Sequence, residues 1–271
     1  FVFGKVALES LPVSQVVLIR FAIGSAALVP VLMIRRLGIP WRDLPRILLI
    51  GFLAVPVTYL VQFSGLELTS ISRASLIIGA SPPLMALGGL IFFGERPGWR
   101  TWIAVGISIL GIVLISGSPG VDGNTLGDVL VLVSIVVSVG WVLLSKNMSQ
   151  RYGALEVTGY VLVAGTLMLL PFTYFMDGLP PLQFSLSVWR ALIVLGIGCT
   201  TLTFFLWNWG LERLPASKAG VYLNLEPLVG VLLGVTLWGE SLQLSVMLGG
   251  ALVLVAGVDM ALSEPSPAGG S

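Results

Sequence analysis

The stretch GLELTSISRASLIIGASPPLMALGGLIFFGE, residues 65–95, is written a second time 145 residues later as GLERLPASKAGVYLNLEPLVGVLLGVTLWGE, residues 210–240. Gly65-Leu66-Glu67 falls on Gly210-Leu211-Glu212, Ser72-Arg73-Ala74 on Ser217-Lys218-Ala219 and Pro82 on Pro227. Leu87 then falls on Leu232, Gly89 on Gly234 and Gly94-Glu95 on Gly239-Glu240, with no gap needed. Upstream, Gly51 meets Gly196 and Thr58 meets Thr203. Leucine and glycine recur by chance in any apolar segment. A proline, two glutamates and a base held in one register do not, so the chain reads as one unit written twice.

Composition says what solvent that unit lives in. Of 271 residues 56% are hydrophobic and only 10% charged, against roughly 25% charged in an ordinary soluble domain. A single soluble core cannot hide so much apolar surface; lipid must be the solvent for most of the chain. The segments are continuously apolar over about 20 residues, a helix span rather than the alternation of a membrane β-barrel. In hydrocarbon only a helix satisfies its own backbone. The net charge of +1 gives no reason to expect a nucleic acid or acidic partner. Histidine is absent, which removes histidine-based acid–base chemistry, nucleophile pairs and histidine metal sites. No cofactor and no metal are expected. Cys199 is the lone cysteine, expected to be buried and inert.

Ten segments are predicted. The first is a stub ending near Lys5, read as the tail of a truncated helix. The others run from about 13 to 34, 44 to 66, 74 to 93, 99 to 116, 126 to 144, 157 to 175, 189 to 211, 216 to 238 and 242 to 262. The first repeat covers 1–116, a turn-rich linker 117–125, the second repeat 126–262, and a disordered Pro/Gly/Ser tail 263–271.

Placing the N-terminus in the cytoplasm puts Arg35, Arg36, Arg42, Arg46, Arg96, Arg100, Lys146, Arg151, Arg213 and Lys218 on that side, and Lys5, Arg73 and Arg190 on the other. That is the bias the positive-inside rule demands. It predicts a multi-pass protein of a bacterial-type inner membrane, with both termini cytoplasmic. A five-helix unit is odd, so the second copy must cross the bilayer upside down relative to the first. Inverted repeats are a frequent architecture of secondary transporters.

Ser81-Pro82-Pro83-Leu84 running to Gly94-Glu95-Arg96, and Glu226-Pro227-Leu228 running to Gly239-Glu240, resemble the EamA-type repeats of the drug/metabolite transporter superfamily. Leu18-Ile19-Arg20-Phe21 and the stretch from Thr69 to Ala74 share the resemblance, which covers nearly the whole chain. It implies ten helices, alternating access around a central cavity, and a small organic solute such as an amino acid, another metabolite or a drug, often moved outward. One departure is Ser81 where the second repeat has Glu226.

Ionisable and polar groups inside apolar segments are the candidate substrate-binding residues. Glu226 either binds an amine or carries a coupled proton, or else bonds a carbonyl freed by Pro227. Arg20 either binds a carboxylate or pairs with Glu226; otherwise it reaches for the interface or makes a fixed ion pair. Tyr59, Gln62, Thr203, Trp207, Asn208, Tyr222, Asn224, Ser75 and Ser81 complete the set, either lining a pocket or tying helices together; Trp207 also fits an interfacial belt. Thr58, Thr200 and Thr201 belong to the same polar rows. Gly94-Glu95 and Gly239-Glu240 read as helix ends whose glutamates serve the N-terminus of the helix that follows.

The expected function is a secondary transporter of an amino acid-like or related metabolite, most simply an exporter. No HExxH-type zinc motif or phosphate-binding glycine loop with lysine suggests an enzyme. A channel would show a continuous pore in one conformation, and a scaffold would have no cavity. Membrane lipid and one small solute are the partners expected, with the proton as candidate coupling ion. Single cysteines near Arg42 and near Asp122, in a Cys199→Ser background, should label from opposite faces of the membrane. Labelling from one common face would rule out the odd-numbered unit.

Overall fold

In the computed structural model the chain is helical, with no strand among the described residues, which are 2–36, 38–81, 84, 85, 87, 88, 90, 98–116, 124–181, 183–213, 225–240 and 242–262. The α-helices are α1 (Val2–Leu8), α2 (Val13–Ile34), α3 (Leu44–Phe52), α4 (Thr58–Leu68), α5 (Ile71–Ile78) and α6 (Trp99–Ser116). They continue as α7 (Thr125–Tyr152), α8 (Ala154–Met176), α9 (Leu186–Ile193), α10 (Thr203–Arg213), α11 (Leu225–Trp238) and α12 (Leu244–Leu262). A π-helical stretch, Leu53–Val57, joins α3 to α4, and a second, Val194–Leu202, joins α9 to α10. Among the described residues five spans are long and apolar enough to cross a membrane: Val13–Ile34, Trp41–Leu68, Thr125–Tyr152, Ala154–Met176 and Leu186–Gly210. Trp102–Ile115 and Leu244–Asp259 are shorter apolar helical stretches. The chain is therefore a multi-pass, all-α membrane protein.

The two π-helical stretches explain themselves locally. Pro56 lies in the first and cannot donate to the helix ladder. At the second, Thr200 and Thr201 within it and Thr203 directly after it hydrogen-bond carbonyls five residues back. Thr200 Oγ1 donates to Leu195 O (2.8 Å), Thr201 Oγ1 to Gly196 O (3.1 Å) and Thr203 Oγ1 to Gly198 O (3.1 Å). Thr58 does the same to Leu53 O (2.7 Å) at the edge of the first. Such widened turns frequently mark functional positions.

Two compact units each draw on both halves of the sequence. The first combines 1–67 with 140–213, and the second 68–139 with 214–271. In the first unit α2 packs on α8 and on the second π-stretch, and α3 packs on α8. Gly165 of α8 sits so close that a Cβ there would lie 2.6 Å from Gly51 O, which is why a side chain at either position would force these helices apart. In the second unit α6 packs on α12 and α5 on α11. Gly111 and Gly249 face each other; a Cβ on Gly111 would lie 2.6 Å from Gly249 O.

The second unit is tied at the start of α5. Arg73 and Asp128, both almost wholly buried, form an ion pair. Thr69 Oγ1 donates to Asp128 Oδ1 at 2.7 Å, and Ser70 caps α5 by accepting from Arg73 N at 3.2 Å. Glu240 completes the end: its two carboxylate oxygens accept from Ile71 N (2.8 Å) and Ser72 N (2.9 Å). This corrects the expectation for Glu240. It serves the N-terminus of α5, not of the helix that follows it in sequence, because a carboxylate is most stabilised at whichever free N–H groups packing brings to it.

Two sequence expectations shift. The sixth segment, expected to end near 144, runs on to Tyr152, where Gly153 adopts φ 93°; hydropathy fades before the helix does, and the left-handed glycine is the true stop. Cys199 is exposed rather than buried, since an apolar position in lipid need not face the protein. The linker positions 117–123, the tail 263–271 and much of the fourth and ninth segments (82, 83, 86, 89, 91–93 and 216–224) lie outside the described residues.

Breaking a buried ion pair leaves one uncompensated charge. Asp128→Ala should therefore lower stability by about 3–5 kcal/mol, while the double variant Arg73→Met/Asp128→Leu regains most of the loss. Thermal melting in detergent checks it; a shift from Asp128→Ala equivalent to under about 1 kcal/mol would show that the pair carries no such weight.

Candidate functional site

Arg20 stands two turns into α2, where α2 meets the π-stretch Val194–Leu202. The approach is possible because residue 196 is glycine: a Cβ there would lie 2.9 Å from Arg20 O and 2.7 Å from Ile23. Arg20 Nε donates to Thr200 Oγ1 at 2.6 Å and Arg20 Nη2 to Cys199 O at 2.9 Å. The side chain is only 5% exposed, so it does not reach for the interface, and no described carboxylate pairs with it. Two acceptors thus meet a guanidinium with five N–H donors.

Aromatic rings supply much of the remaining surroundings. The Arg20 guanidinium carbon lies 4.5 Å from the Tyr59 ring centre, 5.3 Å from Phe21 and 5.5 Å from Phe63. Each such contact contributes about 0.5–2 kcal/mol. The rings continue away from the charge: Phe21 meets Tyr59 and Phe204 edge-on, and Phe204 stacks on Trp141 at 5.3 Å with the planes 2° apart. Among the described residues the buried indole N–H groups of Trp141 and Trp207 have no acceptor. One end of this cluster is cationic, and its body is aromatic. Chemically it is suited to an anionic group attached to an apolar or aromatic frame.

Asn208 does different work. Its Nδ2 donates to Thr158 Oγ1 (2.8 Å) and Phe204 O (3.1 Å), while its Oδ1 accepts from Ser149 Oγ (3.2 Å). These bonds tie α10 to α7 and α8 in the buried interior. Thr203 is exposed, its hydroxyl turned back to its own helix. Gln62 is half-buried on α4.

The remaining sequence candidates belong to the second unit. Ser75 is fully buried in the notch left by Gly230, with no acceptor among the described residues. Ser81 donates to Ile78 O at 2.6 Å. Glu226 lies in α11, but its side chain, and all of Tyr222 and Asn224, lie outside the described residues. Of the residues singled out from sequence, Arg20 and Tyr59 are thus brought into contact. Phe21, Phe63, Phe204 and Trp141 were missed, because an aromatic inside an apolar helix carries no signal of its own. Thr200 was legible as a hydroxyl in hydrocarbon.

Known proteins place this multi-pass fold. The EamA-like transporter family model matches residues 1–117 and 125–258. The chain belongs to the EamA-like transporter family. An uncharacterized transporter of Archaeoglobus fulgidus is 31% identical over 237 residues, covering 88% of this chain and 84% of that one. A probable terminal-alkyne amino-acid exporter of Streptantibioticus cattleyicolor is 29% identical over 220 residues, covering 80% of this chain and 72% of that one. A solved structure titled only as the crystal structure of a protein superposes with a TM-score of 0.69 at 22% identity, over 96% of this chain and 91% of that one; it shares the fold.

Asn208→Ala would strand the Ser149 hydroxyl, remove the amide's bonds to Thr158 and Phe204, and should cost about 1–3 kcal/mol. Thr203→Val, at an exposed position, should stay within about 0.5 kcal/mol of the parent. Melting temperatures of the two purified variants check the contrast; equal shifts would remove Asn208 from the interior tie described above.

Proposed function

We propose that this protein is a ten-helix secondary transporter, two inverted five-helix repeats working by alternating access, that exports a small amino acid-like solute whose carboxylate is held by Arg20. The observation that carries the substrate class is the buried guanidinium with more donors than protein acceptors, set against aromatic rings. A buried arginine that meets no carboxylate among the described residues is costly, and a substrate carboxylate offers the bidentate partner it lacks. A relative named as a probable amino-acid exporter supports that solute class and the outward direction.

The repeat is supported by packing as well as by sequence. Moved along by 145 residues, Trp41–Leu68 falls on 186–213, the range of α9, its π-stretch and α10, and Leu53–Val57 falls inside the second π-stretch. The helices that pack together as α2 with α8 and α6 with α12 are those which the same shift superposes. Two like halves facing opposite ways give two conformations of equal design, one open to each side. That Arg42, Arg46 and Arg151 share one side of the membrane is supported by their common partner, Asp43.

Purified protein in liposomes should transport an amino acid and bind it more tightly than its carboxamide. Arg20→Gln should raise the apparent KM for the acid about 10–100-fold, the worth of hydrogen bonds to a charged group, and erase discrimination against the amide. Unchanged affinity in a folded Arg20→Gln variant would overturn the carboxylate assignment. Glu226→Gln should flatten the pH dependence of transport; an unaltered profile would remove Glu226 as the proton site.

A further inference from the structure

A groove of about 350 Å³ runs between the end of α2 and the middle of α8, walled by Val29, Leu32, Met33, Tyr160 and Val163 and closed by Arg36. Its walls belong to two of the spans that are apolar and long enough to cross the membrane. From Val29 to Arg36 is about 10 Å along a helix axis, so the groove passes from wholly apolar surface to a positive charge over about two turns. That gradient is the one an amphiphile presents at the edge of a bilayer.

Arg36 is held there at a cost. Among the described residues it is the only non-glycine with positive φ, at 52°, a conformation that disfavours any residue with a Cβ. The backbone turns at this point while the Arg36 N–H still bonds Met33 O at 3.2 Å, so the helix is closed and the arginine lines the groove. Its charge is also unspent. Arg42, Arg46 and Arg151 all gather on Asp43, whereas no described acidic side chain pairs with Arg36. A soluble anion would gain nothing from the apolar walls, and a neutral hydrocarbon nothing from the guanidinium. Asn or Gly would be the relaxed choice for the left-handed turn, and neither would bring a charge.

We propose that this groove binds one acidic phospholipid, its phosphate on the Arg36 guanidinium and the start of an acyl chain along Val29, Leu32 and Val163. An arginine beside an apolar wall gives a planar, bidentate partner for phosphate and a surface against which the chain methylenes pack. The proposal is independent of the substrate assignment, since it uses none of the residues around Arg20.

The test is native mass spectrometry of the full chain in detergent, offered equal phosphatidylglycerol and phosphatidylcholine with the same acyl chains. The parent should retain one phosphatidylglycerol in preference to phosphatidylcholine. Arg36→Asn, which suits the left-handed backbone while removing the charge, should lower that retention at least 10-fold. Val163→Trp, which fills the groove and leaves Arg36 in place, should lower it likewise. Melting without added lipid identifies any variant that is simply misfolded; Val29→Trp then replaces it. Equal retention of the two lipids, or retention unchanged in Arg36→Asn, overturns the proposal. So does millimolar inorganic phosphate competing the lipid away, because the site would then be one for a soluble anion, and so does preferential capture of oleate.

Discussion

A polar group inside hydrocarbon must find its partner within the protein, since no water is there to take its place. Most of what distinguishes this chain from a bundle of plain apolar rods follows from that requirement. The threonines of both π-helical stretches return their hydroxyls to carbonyls five residues back. Asn208 spends its amide on three partners in the interior. Arg73 and Asp128 neutralise one another, and Glu240 fills the open N–H groups at the start of α5. Where the rule is obeyed, the group holds the structure together.

Incomplete satisfaction therefore carries information. Arg20 meets two acceptors and a surround of rings. Trp141 and Trp207 bury indole N–H groups without a described acceptor. The Arg73–Asp128 pair, joined by Thr69, meets its charge within the protein, whereas no described carboxylate pairs with Arg20. The contrast between a cation paired with a carboxylate and one with no described carboxylate does not follow burial, because both arginines are almost equally buried.

The duplication sharpens the contrast. Shifted by 145 residues, Arg20 corresponds to Gly165, Thr200 to Val55 and Gly196 to Gly51. The same close helix approach is thus built twice, against Gly51 in one place and Gly196 in the other, but only one copy carries the arginine and its hydroxyl acceptor. Backbone proximity belongs to the shared scaffold; the charge is an addition to one half of it.

Sequence alone determined the membrane class, the register of the repeat and the bounds of most spans, because transfer into lipid is additive along the chain and an apolar run is legible residue by residue. Val13–Ile34 and Trp99–Ser116 lie where hydropathy puts them. It also marked Arg20 as out of place. What it could not determine is which faces meet. Helices apolar around their whole circumference carry no moment to show which side turns inward, so the rings around Arg20, the reach of Glu240 back to α5, and the exposure of Cys199 had no signature. Those were decided only by tertiary packing, where glycine fixes how close two helices come and thereby which side chains can touch.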